Sequence, residues 1–223
     1  MDNQQYFLSI DNGTQSVRAM VFDGQGQLIA KSKIDIEPYF SDQPGWAEQH
    51  ADYFWDALCK ACQALWPLLP IPKESIAAVS VTTQRATAIA MGADNQPLRP
   101  AISWLDQRQV ETKPALGALE SALFTLVGAK PLADLMHKQA EANWIAQNEP
   151  NIWDKVHKFV LLSGYHNYKL TGEYKDAIAS TVGFLPFDYK TQQWADKRDW
   201  KWRAMPITQE MLPEVLPAGA ELG

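Results

Sequence analysis

Cysteine is scarce in this chain: two residues, Cys59 and Cys62, among 223. That is too few for a disulfide-stapled secreted module. Their C-x2-C spacing is half of a zinc ribbon, but there is no second pair, and the four histidines (His50, His137, His157, His166) are scattered. A tetrahedral metal site therefore lacks its other half. No run of Lys and Arg exceeds two residues, and the net charge is 20 − 26 = −6. The basic footprint of a nucleic-acid binder is missing. No apolar run approaches the roughly 18 residues that would span a membrane, and the polar, acidic start Met1-Asp2-Asn3-Gln4-Gln5 does not read as a signal peptide. Neither nucleic acid nor membrane is expected as a partner, and a cytoplasmic location is expected. Walker A loops, internal repeats and low-complexity tracts are also absent from the sequence.

What is present is ordinary globular composition: 46% apolar and 21% charged residues, in a length that corresponds to about 1.5 average domains and can bury its own core. Residues 6–10, 17–22 and 28–36 read as three strands. They are joined at Asn12–Ser16, rich in turn formers, and at Asp23-Gly24-Gln25-Gly26, a hairpin turn. The result is an antiparallel meander. Ala51, Phe54, Trp55, Leu58, Cys62, Leu65 and Trp66 recur at helical spacing up to Pro67. Both cysteines lie on that helix, where packing as reduced thiols is the simpler use for them. Strands are expected over 76–82 and 87–91, with a short extended piece over 100–103. A helix is expected from Asp106 to about 115. Further helices are expected over 120–127, 138–147 and 161–170, with a single turn over 209–211 and a strand start at 158–162. Residues 177–181 fit either a short helix or a loop. A domain boundary is expected near Pro213–Pro217.

The sharpest local signal is Asp11-Asn12-Gly13-Thr14-Gln15-Ser16. Glycine lets a turn come close to a ligand. Consecutive turn N–H groups with the Thr14 and Ser16 hydroxyls can line an anion pocket, and Asp11 can hold Mg²⁺ through water. The same residue types also make an ordinary hairpin turn.

Asp11-x-Gly13-Thr14-x-Ser16-x-Arg18-x-x-x-Phe22-Asp23 closely resembles the phosphate-binding hairpin that opens the FGGY carbohydrate kinases, members of the actin/hexokinase/Hsp70 ATPase superfamily. Further blocks follow in the family's order. They are Pro44-Gly45-Trp46-x-Glu48-Gln49, Thr83-Gln84-Arg85, Pro100-Ala101-Ile102-x-Trp104-x-Asp106-x-Arg108, Leu170-Thr171-Gly172-Glu173 with Asp176 and Ser180, and Leu212-Pro213-Glu214-Val215. The ordered set covers nearly the whole chain and is far more specific than any one block.

The resemblance implies an α/β fold: an RNase-H-like, actin-like ATPase domain over residues 1–223, with a mixed central sheet opening on the meander and flanked by helices. It implies transfer of the γ-phosphoryl group of ATP to a sugar or polyol hydroxyl, with Mg²⁺ on the phosphates. In such chemistry positioning and charge neutralisation do most of the work. Gly13, Thr14, Gln15, Ser16 and Arg18 would meet the phosphate, Asp11 the Mg²⁺, and Gln84, Arg85, Trp104 and Asp106 the polyol. From residue type alone, Arg18 is equally a surface strand arginine, Trp104 a core residue and Asp106 a helix cap. Trp55, Trp66 and Trp144 are read as packing residues.

Three departures qualify the resemblance. Ala86 stands where the glycerol kinases carry an acid, which argues against glycerol. Gln15 replaces the usual second threonine of the hairpin. The family's catalytic aspartate, the general base, and its adenosine pocket lie in a C-terminal domain, so the base is expected beyond Gly223 and no catalytic residue is assigned within this chain. The chain is therefore expected to be the N-terminal sugar- and phosphate-binding half of a kinase, inactive in isolation. A non-catalytic sugar- or partner-binding short form is the alternative. A homo-oligomer is compatible with either.

Overall fold

The computed structural model describes residues 5–111 and 117–223. Three strands form the opening meander: β1 (Tyr6–Asn12), β2 (Ser16–Asp23) and β3 (Leu28–Asp35). Strand β4 (Glu48–Gln49) leads into helix α1 (Ala51–Leu65), and β5 (Ile76–Thr83) follows. The first sheet has the order β3-β2-β1-β5, with β1 antiparallel to β2 and parallel to β5. This mixed sheet needs a long crossover to bring β5 alongside β1, and β4 and α1 lie within it.

Period-2 alternation builds the core. Leu8, Ile10, Val17, Ala19 and Val21 all point to the buried face, where they meet Ala51, Phe54, Leu58, Ala61 and Leu65 of α1. The Ser32 hydroxyl donates to the Ala61 carbonyl oxygen at 2.5 Å and ties β3 to the same helix. A 3-10 turn, Trp66–Leu68, carries Pro67 and ends α1, as the proline predicts.

A second, antiparallel sheet has the order β4-β7-β6-β8, built from β4, β6 (Ala88–Met91), β7 (Ala101–Ile102) and β8 (Lys158–Leu161). Helices α2 (Ala118–Leu126), α3 (Lys130–Gln139), α4 (Glu141–Asn148) and α5 (Pro150–Trp153) lie between β7 and β8. Helix α6 (Leu162–Thr171) follows β8 and ends at Gly172, whose φ of +81° suits glycine. Beyond it come β9 (Lys175–Ala177), a 3-10 turn at Ile178–Ser180, the β10 (Phe187–Asp188) and β11 (Gln193–Trp194) hairpin, and α7 (Lys201–Ala204). Last are a 3-10 turn at Gln209–Met211 and β12 (Glu214–Leu216).

Three expectations need correction. Residues 106–111 are not helical, and 112–115 lie outside the described residues. The main-chain N–H groups of this stretch go elsewhere: Gln107 donates to the Gly45 carbonyl and Val110 to that of Lys138. The expected helix over 138–147 is two helices broken at Ala140, whose ψ is 120°. Val110 takes the Lys138 carbonyl that a continuous helix would use, and no glycine or proline marks the break. The segment around Pro213–Pro217 is not a boundary, because β12 pairs in parallel with β9 and joins the fold.

Behind β7 lies a buried ionic network. Arg99 Nη2 pairs with Glu48 Oε1, and Arg99 Nε lies 2.6 Å from Glu149 Oε2. Arg108 Nη1 lies 2.8 Å from the same Glu48 oxygen. Arg108 also donates to both oxygens of Asp106, from Nε at 2.8 Å and from Nη2 at 2.7 Å. The Arg99 Nε–Glu149 and Arg108 Nη1–Glu48 contacts are close ion pairs without hydrogen-bond alignment. The Arg108 guanidinium also sits 4.0 Å from the ring centre of Trp46 and 4.4 Å from that of Trp144. Removing one partner of such a network strands buried charge. Arg108→Met is expected to lower stability by about 3–5 kcal/mol in urea denaturation at pH 7. A loss below about 1 kcal/mol, the level of a surface pair, would mean that the network does not hold this region.

Candidate functional site

The β1–β2 turn stands at the end of the first sheet. Gly13 N–H donates to the Ser16 carbonyl at 3.0 Å and closes the turn. The N–H groups of Thr14 and Gln15 take no acceptor among the described residues. Together with the Ser16, Arg18, Lys33 and Asp35 side chains they surround a cavity of about 310 Å³. Arg18 lies opposite Lys33 and Ser16 opposite Asp35 in the β2–β3 register, which brings a second cation to the cavity. Free N–H donors, hydroxyls and two cations, Lys33 paired with Asp35 at 2.6 Å and Arg18 with Asp11, make a donor set that suits a phosphate once it displaces those carboxylates.

Asp11 sits beside this turn, partly exposed. Its Oδ2 accepts from Arg18 Nη1 at 2.7 Å and its Oδ1 from the Thr82 hydroxyl at 3.3 Å. Among the described residues no group of three or more His, Cys, Asp and Glu side chains could hold a metal ion by itself. One carboxylate beside a phosphate cavity fits a cation that arrives on the phosphates and meets Asp11 through water.

Below this turn, Asn12 is fully buried. Its Oδ1 lies 2.8 Å from His166 Nε2 of α6, and its carbonyl oxygen accepts the Gln84 N–H at 2.8 Å. Asn12 thus couples the β1–β2 turn to the loop after β5. Burial, with the Lys169 charge adding to it, pushes the His166 ring down to about 3, so the imidazole is neutral and donates to Asn12 through one tautomer.

A second cavity, about 280 Å³, opens beside the first. Its wall includes Ala86, Trp104, Asp106, Arg108, Glu141 and Phe184. Trp104 is half exposed, and its indole N–H points at the Thr14 hydroxyl at 3.4 Å, so one side chain spans the gap between the two cavities. Arg85 is exposed at the tip of the loop and makes no bond among the described residues. Gln84 is buried, does not line the cavity, and both ends of its amide lack partners. Asp106 faces the cavity but is committed: its oxygens take the Arg108 guanidinium and the N–H groups of Ala47, at 2.7 Å, and Arg108, at 2.9 Å.

The hairpin residues, Trp104 and Asp106 therefore converge on two adjoining cavities, whereas Gln84 is turned away from them. Gly223 lies against Thr171 at the end of α6 and lines neither cavity. It marks a position in the sequence and is not itself a site residue. Sequence reasoning missed Lys33, Asp35 and Glu141. Lys33 and Asp35 were signalled by the alternation of β3 once its register with β2 was fixed. Glu141 carried no local signal. Cys59 and Cys62 are free and line a separate apolar groove with Trp55 and Trp66. Burial pushes the Cys62 thiol up to about 11 and raises that of Cys59, which suppresses the thiolate needed for reactivity.

Residues 6–223 match the family described as the FGGY family of carbohydrate kinases, N-terminal domain. A glycerol kinase from Thermococcus gammatolerans is 29% identical over 220 residues, a match that covers 95% of this chain and 43% of the relative. Among solved structures, a gluconate kinase from Lactobacillus acidophilus superposes with a TM-score of 0.75 at 19% identity, over 96% of this chain and 42% of that one. A Plasmodium falciparum glycerol kinase with ADP gives 0.70 at 22%, over 95% and 43%. At these identities the superpositions establish the fold: the actin-like ATPase domain with its mixed sheet. The chain spans less than half the length of these relatives.

The second cavity's wall can be probed at two positions. Ala86 has a φ of +52°, a left-handed conformation that costs an L-residue about 1–2 kcal/mol. Ala86→Gly is therefore expected to raise stability by about 1 kcal/mol in urea, and a loss of stability would refute the strain. Burial, aided by Asp106 and opposed by its own N–H, pushes Glu141 from 4.5 up to about 7. The folded chain then holds this proton more tightly than the unfolded chain, and stability falls as pH rises between those values. Glu141→Gln should be the more stable form at pH 8, with the difference vanishing near pH 4.5; equal urea midpoints at both pH values would contradict this.

Proposed function

Because the chain belongs to the FGGY family of carbohydrate kinases and spans that family's N-terminal domain, we propose that it is the sugar- and phosphate-binding half of an ATP-dependent carbohydrate kinase. The single observation that carries this reading is the pair of adjoining cavities joined by Trp104, one walled by phosphate donors and the other by groups suited to a polyol.

In this reading a sugar or polyol hydroxyl oxygen attacks the γ-phosphorus of ATP, and the bond from that phosphorus to the ADP oxygen breaks. The hydroxyl proton passes to a general base. We assign that role to the half of the kinase that this domain complements, beyond Gly223, since no aspartate here matches the family's catalytic block. The N–H groups of Thr14 and Gln15, the Thr14 and Ser16 hydroxyls and the Arg18 and Lys33 cations would receive the transferred group and neutralise its charge. Gly13 gives the turn its close approach. Mg²⁺, when bound, neutralises phosphate charge, and Asp11 would orient its water shell once Arg18 releases Oδ2 to face the phosphate.

Trp104 would lay its ring against sugar C–H groups, and Arg85, exposed and outside the lining, would meet only hydroxyls that project beyond the cavity's rim. Asp106 would act chiefly by holding the Trp104 loop to Ala47 and Arg108, with its remaining lone pairs open to a hydroxyl. Gln84 reaches a ligand only if its amide turns outward, a change favoured by the cost of leaving that amide unpaired.

The test is amide and indole NMR of the chain titrated separately with a neutral polyol and with inorganic phosphate. The polyol is expected to move the Trp104 indole signal, and phosphate the Thr14–Ser16 amides. Arg18→Ala should weaken phosphate about tenfold, in line with loss of one charge-assisted bond. With ATP, Mg²⁺ and a sugar panel, the 223-residue chain alone is expected to make no sugar phosphate above background. Shifts confined to other surfaces, or turnover by the isolated chain, would overturn the assignment.

A further inference from the structure

The second cavity presents two carboxylates under different conditions. Asp106 is neutralised by a two-point bond to Arg108. Glu141 is not: it opens α4, accepts a hydrogen bond from its own main-chain N–H, and makes no ion pair among the described residues. The other polar side chains at the wall, Ser103, Gln107, Gln109 and Gln139, are neutral. The network behind the wall gives no surplus of positive charge to offset Glu141. Arg99 and Arg108 face Glu48, Asp106 and Glu149, so with Glu141 the sum is 2 − 4 = −2.

From this juxtaposition we infer that Glu141 is a specificity-determining residue, which makes the cavity take neutral or amino-bearing polyhydroxy compounds and reject sugar acids. An ionised carboxylate has only acceptor sites. It rewards a ligand that brings hydroxyl or ammonium hydrogens. A ligand carboxylate inside the same small cavity meets like charge, because the cation in the wall, Arg108, is already paired with Glu48 and Asp106 and Arg85 lies outside the lining, a repulsive element of the kind that specificity requires. The inference rests on the reading of this cavity as the polyol site, and it concerns which polyhydroxy compounds enter, a property that Trp104 and Asp106 leave open.

The experiment is a calorimetric titration of the 223-residue chain at pH 8, where Glu141 is ionised, with ribitol, gluconate and glucamine as probes. Glu141→Gln is titrated in parallel, and the Trp104 indole signal reports whether each ligand enters the cavity. Ribitol and glucamine are expected to bind at least tenfold more tightly than gluconate. In Glu141→Gln the ribitol-to-gluconate ratio should fall at least tenfold, and the advantage of glucamine over ribitol should disappear. Gluconate binding as well as ribitol to the unaltered chain, or a ratio that the substitution leaves in place, overturns this inference while the polyol reading stands. If none of the three probes moves the Trp104 signal, the polyol reading itself fails, and this inference falls with it.

Discussion

Two guanidinium groups buried among three carboxylates would cost several kcal/mol each in lost hydration if they were not closely paired. Arg108 meets that condition on every side: Glu48 and Asp106 supply charge, and Trp46 and Trp144 supply aromatic faces. The consequence reaches beyond stability. Glu48 belongs to β4, just before α1; Asp106 lies just after β7; Trp144 sits on α4. One cation therefore holds together three segments distant in sequence, and the loop that displays Trp104 is suspended from it. Asp106 ties the same loop to Ala47 through a main-chain bond. The position of the half-exposed indole at the mouth of two cavities is set by buried charge rather than by the loop's own preferences.

Asn12 plays the corresponding part in the first sheet. Its side chain meets His166 of α6 and its carbonyl takes Gln84, so the phosphate-type turn and the loop after β5 are tied to one another. The two anchored pieces, hairpin and Trp104 loop, meet at the Thr14–Trp104 contact. This is how a chain whose candidate residues lie near 11–18, 84–86 and 103–108 brings them to one place. Ala86, one of three non-glycine residues with positive φ among the described residues, lies there, and so do unpaired polar atoms of Gln84 and Thr87. Both are features of sites that await a ligand.

The long elements were legible because their periodicity was. The three strands of the meander, α1, β5 and α6 lie within a residue or two of where alternation, helical spacing and the Pro67 stop put them. The short elements were not. Strands β4 and β7 have two residues each and no period to detect, so the second sheet appears only when distant partners come together. The helix expected from Asp106 failed for a related reason. Aspartate before a polar stretch is a good capping signal, but here its oxygens are taken by Arg108 and Ala47. The break at Ala140 has no local mark, since it arises when Val110 claims the Lys138 carbonyl.

By itself, the sequence determined the fold family, the order of its blocks, the meander and the hairpin as the place for an anion. Each of these is written in contiguous residues whose spacing and turn chemistry act locally. Only the tertiary structure decided which groups are available for chemistry. It committed Asp106 to Arg108, turned Gln84 inward, added Lys33 to the phosphate cavity and left Glu141 as the carboxylate without a cation in the second. Availability depends on what each side chain finds across the fold, and the electrostatics of a cavity is a sum over residues that the chain brings together only when it packs.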